Sequence, residues 1–356
     1  KTLLMINKGE FYLKATGMVS QSSQEMVQHT KEKKRKRKNK YIPGLAAFRF
    51  RPSEDWDKSQ ALTLFNKQVK QIGSFEIDQT YFQDCIKGMQ LLPKESIDLI
   101  IADPPFGLDF SGKESIYNRD SDFVVEDYKE IQSNYNDFTE QWISQLPRLM
   151  KPTSSAYIFS GWTNLEDILR SLRKSGLIVL NHLIWQYQFG VYTKIKFVTS
   201  HYHILFLAKN PKEYYFNKIE HYPTDVWDIK RDYSPGKKKN GTKLPVQLIQ
   251  RCIDFSSKPG DIILDPFMGN GTTAEAAIAN YRHFIGFEIN DKMRSIIEHN
   301  LDITPLGRDY LMYKTLLPSI DDLKRKYPKA YEVYISEVKN KERGMLEWLH
   351  HERKQN

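Results

Sequence analysis

The run Ile97-Asp98-Leu99-Ile100-Ile101-Ala102-Asp103-Pro104-Pro105-Phe106 constrains this chain more than any other stretch. Its apolar, β-branched half reads as a buried strand of a parallel sheet. Two consecutive prolines then remove two backbone donors and disfavour helical angles in the residue before each. The chain must therefore leave the sheet as a stiff, extended loop. Such a loop holds a carboxylate and an aromatic ring at the carboxyl edge of the sheet, where open α/β folds bind ligands. A planar base could stack on Phe106 while its exocyclic amine donates to Asp103 and to the Pro104 carbonyl. The plainer alternative is a tight strand-to-helix connection with Phe106 in the core.

A second stretch narrows the choice. Asp261-Ile262-Ile263-Leu264-Asp265-Pro266-Phe267-Met268-Gly269-Asn270-Gly271-Thr272-Thr273 reads as a strand, a glycine-bearing turn and the start of a helix over 273–280. Gly269 and Gly271 permit backbone angles that other residues resist and allow a ligand to come close. A dinucleotide site would want a third glycine, where this chain has Ala274, and pyrophosphate at the helix start. Asp265 at the strand tip opposes a pyrophosphate and favours a cation. The next strand, over 284–287, ends in Glu288, placed to accept from two ribose hydroxyls. A nucleoside with a positive centre and an amino acid part fits these demands, and S-adenosylmethionine is such a molecule.

The charge balance agrees with a nucleic-acid partner. The chain has 356 residues, a formal charge of +9, twenty Tyr and nineteen Phe. Basic side chains meet phosphates and aromatic ones stack on bases. Seven of the eight residues from Lys31 to Lys38 are positive. Such a run repels itself and suits either a solvated linker or an arm on phosphates. Lys237-Lys238-Lys239 offers a second basic spot. The two cysteines, Cys85 and Cys252, form no CxxC pair, and the histidines show no ligand spacing. No metal and no disulfide scaffold is expected. No signal peptide and no membrane-length apolar run is found, so the expected setting is the inside of a cell, in a reducing compartment.

Element by element, short strands are expected at 3–5 and 11–13 and a helix around 57–70. Extended segments at 75–77 and 80–82 lead into Asp84-Cys85 and a short helix to Leu92. Spacing places Trp142, Leu146 and Leu149 on one face of a helix over 138–150 that Lys151-Pro152 stops. Further expected strands cover 156–160, 177–188 and 203–208. Helices are expected from an Asn164 cap to Gly176, over 246–257 and over 292–300, and in parts of the tail around 321–326 and 330–348. Three regions result: a basic arm and lead-in at 1–70, partly disordered, a catalytic domain at 71–300, and a charged helical tail at 301–356. Within the domain, 107–136 is long enough to close over a substrate and 190–240 is a candidate target-recognition region.

Asp103-Pro104-Pro105-Phe106, followed by Asp265-Pro266-Phe267-Met268-Gly269-Asn270-Gly271-Thr272, resembles the amino-methyltransferases of DNA that act on N6 of adenine or N4 of cytosine. The order, catalytic motif first, is similar to the β-group of that family. The resemblance covers about 75–300. It implies a Rossmann-like S-adenosylmethionine-dependent α/β fold, a mostly parallel sheet with one antiparallel strand and a circularly permuted motif order. It implies catalytic roles for Asp103, Pro104, Pro105 and Phe106. Cofactor contacts are implied at Asp84, Cys85, Asp103, Thr242, Asp265, Phe267, Gly269, Asn270, Gly271, Thr272 and Glu288. The implied partner is duplex DNA with the target base flipped out, in the company of a restriction enzyme or second subunit and without a membrane. Asp at the first motif position leans to adenine; an N4-cytosine enzyme, or an RNA or protein amide methyltransferase, is the alternative. A catalytically dead nucleic-acid-binding subunit is a further reading, opposed by the intact Asp103, Gly269, Gly271 and Glu288. Two positions depart from the family pattern: Phe106 stands where Tyr is usual, and Leu244 stands where the element matched by Asn240 to Pro245 usually carries Lys.

Overall fold

The computed structural model describes residues 6–7, 10–11, 54–105, 135–188, 190, 194–220, 222–231, 243–316 and 320–352. Phe106, Thr242, the basic run at 31–38, the lysines at 237–239 and nearly all of 107–136 lie outside the described residues. The chain divides into two compact units, one formed by Lys1–Ala46 with Ser319–Asn356 and the other by Ala47–Pro318. In the first, Ile6–Asn7 pairs antiparallel with Glu10–Phe11, and helices span Ile320–Lys326 and Pro328–Glu352.

The larger unit is built on eight strands: β1 (Gln79–Phe82), β2 (Ile97–Ala102), β3 (Met150–Ser160), β4 (Ile178–Gln186), β5 (His201–Ala208), β6 (Val226–Asp228), β7 (Ile262–Asp265) and β8 (His283–Glu288). Their spatial order is β6-β4-β5-β3-β2-β7-β8-β1. Only β5 runs antiparallel, against β3 and β4; the other pairings are parallel. The helices are α1 (Lys58–Asn66), α2 (Cys85–Leu91), α3 (Tyr135–Leu149), α4 (Leu165–Ser175), α5 (Val246–Ser256), α6 (Thr272–Ala279) and α7 (Arg294–Asp302).

Strands buried on both faces need helices on both, and the core divides accordingly. Ile100, Ala102 and Leu264 pack with Met89 of α2, Trp142 and Leu146 of α3 and Ile168 of α4. Leu99, Ile101 and Ile263 face the other way, onto Ile249 of α5, Ala277 of α6 and Ile297 of α7. A register irregularity between Ile97 and Leu99 accommodates the one charged residue of β2. Asp98 accepts from the Ile262 amide at 3.0 Å and from Lys151 Nζ at 2.8 Å, so it ties the central strand to both neighbours.

Several expectations shift. Lys151-Pro152 does not stop α3, which ends at Leu149 because Met150 already pairs with Ile97 as the start of β3. Asn164 sits at the α4 N-cap, but its side chain makes no capping bond; it accepts from Thr163 Oγ1 instead. Gly176 ends α4 with φ of 79°, the left-handed geometry expected of it. Trp56, Ala61 and Phe65 pack with Tyr281 and Tyr310, which ties the α1 segment into the larger unit.

Gly88 of α2 is the close-approach point between that helix and β8. A Cβ there would stand 2.2 Å from the Phe287 ring. Gly88→Ala is therefore expected to destabilise the fold by about 1–3 kcal/mol, measured by urea unfolding.

Candidate functional site

β2 and β7 are neighbours at the centre of the sheet, with Leu99 beside Ile263 and Ile100 beside Leu264. From β2 the chain passes through α3 to β3 on one side; from β7 it passes through α6 to β8 on the other. The strand order reverses between them, which opens a crevice at their carboxyl ends. Asp103 and Asp265 stand on the two lips of that crevice.

A cavity of about 530 Å³ occupies the crevice. That is an ordinary size for a small-molecule site. Its walls include Asp84, Cys85, Asp103, Pro105, Asp265, Phe267, Gly269, Asn270, Thr272 and Glu288. Two stretches far apart in the chain, the Asp-Pro-Pro loop and the glycine turn, thus face one space. Pro104 is buried beside it and Gly271 lies behind it, neither in the wall.

The glycine turn is held by the acid of the next strand. Glu288 accepts from the Gly269 amide at 2.7 Å and from the Asn290 amide at 2.8 Å, one with each carboxylate oxygen. Each oxygen keeps a further lone pair, and burial raises the carboxyl pKa. Gly269 and Gly271 have φ of 53° and 80°, and a Cβ on Gly271 would press on Ile297 at 3.2 Å. Gly271 is the N-cap of α6, so the turn delivers a helix N-terminus to the cavity.

Asp265 is 5% exposed and accepts from the Phe267 amide at 2.9 Å. Desolvation pushes its carboxyl up to about 7, against the lowering hydrogen bonds of Thr273 and Phe267 and with a small upward contribution from Glu288. No cation is among the groups acting on it. A desolvated carboxyl of this kind is suited to a ligand that brings its own positive charge. Asp84 caps α2, accepting from the Lys87 amide at 2.9 Å. Cys85 is a wall residue rather than a nucleophile, since burial pushes its thiol up to about 12. Phe267 is set edge-on against Trp142, with ring centres 5.2 Å apart, which shapes the apolar floor.

The sequence reading missed several wall residues: Phe138, Lys243, Ile289, Asn290 and Asp291. Lys243 lies one position before the expected lysine position at Leu244, and its Nζ pairs with Glu275 of α6 at 3.1 Å. Ile289 follows Glu288 directly and is 78% exposed, an apolar side chain bared at the rim. The mark available in the sequence was adjacency to a strand-end acid. Among the described residues no group of three or more His, Cys, Asp or Glu is arranged to hold a metal ion. No helix of the described residues is long and apolar enough to cross a membrane.

The cavity thus carries Asp265 and Glu288 at its β7–β8 end and a further carboxylate, Asp103, across from them. Comparison with known proteins gives the family. The family model for N6/N4 methylases, described as DNA methylase, matches residues 97–299. The Type II methyltransferase M.HinfI of Haemophilus influenzae is 31% identical over 257 residues, covering 64% of this chain and 69% of that protein. The Type II methyltransferase M.HpaI of Haemophilus parainfluenzae is 27% identical over 293 residues, covering 72% and 90%. Among solved structures, the M1.HpyAVI–SAM complex aligns with a TM-score of 0.47 at 23% identity, covering 63% of this chain and 98% of that one. PvuII DNA methyltransferase (cytosine-N4-specific) aligns with a TM-score of 0.49 at 18% identity, covering 63% and 92%. This chain belongs to the N6/N4 DNA methylase family.

Proposed function

We propose that the protein methylates the N6 amino group of adenine at a specific sequence in duplex DNA, with S-adenosylmethionine as methyl donor. The observation that carries this is the shared cavity of Asp103 and the Asp265–Gly271 turn. The wall fits the donor: the Asp265 carboxyl awaits a cation, Glu288 has lone pairs left for ribose hydroxyls, and Phe267 offers an apolar face. Bound there, S-adenosylmethionine supplies an electrophilic methyl group on a sulfonium.

The chain's own part is to make a poor nucleophile attack. The lone pair of an exocyclic amine is delocalised into the ring. The Asp103 carboxylate and the Pro104 carbonyl would accept its two N–H bonds and draw the nitrogen toward tetrahedral geometry. After transfer the nitrogen carries a surplus proton, which Asp103 takes. Most of the acceleration then comes from positioning. In a duplex the base must first leave the stack, at about a few kcal/mol. Pro104 and Pro105 stiffen the clamp, and Phe106 is the ring proposed to stack on the flipped base. The adenine assignment is supported by Asp at position 103, as the family resemblance implies. Cys85 and Thr242 are proposed as further cofactor contacts, the arm at 31–38 as a phosphate contact, the cytoplasm as the setting and a restriction enzyme as companion.

The test is to incubate the protein and tritiated S-adenosylmethionine with duplex DNA, single-stranded DNA, RNA and protein in parallel, and to map the modified base. Label on N6 of adenine in duplex DNA is expected. Label on N4 of cytosine moves the base assignment, and label on RNA or protein alone overturns the reading.

A pH dependence follows from Asp265. Without ligand its carboxyl is neutral below about 7, whereas a bound cation favours the ionised form. Donor affinity is therefore expected to be flat above neutrality and to fall toward tenfold per pH unit below it. Calorimetry in buffers of differing ionisation enthalpy should show proton release on binding at neutral pH. Stability of the free protein moves the opposite way. The folded pKa lies above the usual value of 3.8, so stability from this group is full below about 4 and declines as pH rises through about 7.

A further inference from the structure

Arg231 follows β6 at the carboxyl edge of the sheet. Its guanidinium carbon lies 4.0 Å from the centre of the Tyr187 ring, 5.4 Å from Trp185 and 5.6 Å from Tyr202. All three rings are buried. Trp185 Nε1 donates to the Ile229 carbonyl at 2.8 Å, which fastens the segment that carries the arginine. Arg231 Nε is buried without a hydrogen-bond partner among the described residues. The guanidinium is thus held against the three rings, and its two terminal nitrogens form a planar fork.

We propose that Arg231 is a specificity-determining residue that reads a guanine of the substrate duplex, donating from its two terminal nitrogens to O6 and N7 in the major groove. The inference rests on the DNA-methylating reading above. A fork held against an aromatic ring is matched to the paired acceptors of guanine. A phosphate asks only for positive charge, which the flexible Lys230 beside it already offers.

The placement agrees. Ala102 of β2 pairs with Ile158, Ile158 with Leu205, and Leu205 with His182. Three residues further along that line, beyond Asp103 and level with Pro105, stand the paired Tyr202 and Trp185. Two to three strand spacings put them about 10–14 Å from the Asp-Pro-Pro loop. That is about three to four base pairs of duplex. A single DNA with its target base turned in beside Asp103 would bring a nearby base pair to Arg231.

The test uses a duplex carrying the mapped methylation site, with each guanine replaced in turn by 7-deazaguanine, which lacks only N7. Wild-type kcat/KM is expected to fall about 10- to 100-fold at one guanine. Arg231→Ala should lose a similar factor on natural DNA and show no further loss at that guanine. Arg231→Lys keeps donors for O6 and N7 and should fall between wild type and the alanine variant in both activity and sensitivity at that guanine. Donor affinity should be unchanged in both variants, and both should remain folded at the assay temperature, with Arg231→Ala lowering the urea midpoint only through the lost ring contacts. The inference is overturned by a site without guanine, by wild type indifferent to every replacement, or by variants as sensitive as wild type. If wild type binds the donor but methylates no DNA, the underlying reading fails and takes this inference with it.

Discussion

Asp103→Ala is expected to lower the rate of methyl transfer about 10²- to 10⁴-fold while S-adenosylmethionine still binds. Asp103 stands on the β2 lip of the cavity, opposite the glycine turn and Glu288 that are proposed to hold the donor. The residues proposed to bind the donor and the residue proposed to activate the amine are therefore on different strands. Asp103→Asn should be nearly as slow, because the amide offers N–H groups to an amine that needs acceptors. Single-turnover transfer of tritiated methyl, with donor affinity measured separately by calorimetry, reads the two properties apart. Transfer at the wild-type rate by the alanine variant would remove Asp103 from the mechanism.

Glu288→Ala is expected to produce the opposite split, a large loss of donor affinity. Its carboxylate makes two short bonds to backbone amides, at 2.7 Å to Gly269 and 2.8 Å to Asn290. Hydrogen bonds to a charged group contribute about 1.5–3 kcal/mol each. Losing the proposed ribose contact and the tether of the turn together should raise the dissociation constant about 100-fold or more. Glu288→Gln keeps an acceptor for one of the two amides and should sit between. With saturating donor the alanine variant should regain much of its transfer rate, since Asp103 is untouched. Donor binding as tight as wild type would show that Glu288 serves the turn's structure alone.

The strands that carry the site were the readable part of the sequence. Ile97 to Ala102 is a largely apolar run followed at once by Asp103, and Ile262 to Asp265 is a short apolar run ending in an acid; that pattern marks each as a strand. The glycine turn and Glu288 follow at fixed offsets from the second run. What escaped depends on contacts between distant segments. Lys243 enters the wall through its pairing with Glu275 on α6, which no local pattern reveals. Phe138 reads as an ordinary helix residue until Phe267 is set across from it, with ring centres 6.0 Å apart. β6 is three residues long and gains its strand character only by pairing with Ile184 to Gln186. The α3–β3 junction misled because Pro152, a plausible helix stop, lies within a strand whose start Ile97 sets.

The pairing of β2 with β7 also governs how the polypeptide is made. Asp98 and Ile262, bonded at 3.0 Å, are 164 residues apart. At about 5–20 residues per second, roughly 8–33 s separate their emergence from the ribosome. Throughout that interval one side of the most apolar strand has no permanent neighbour, a state that invites association with other nascent chains. Production of this enzyme should therefore improve with slower growth or added chaperone, and a truncation before residue 262 should aggregate rather than yield half an enzyme.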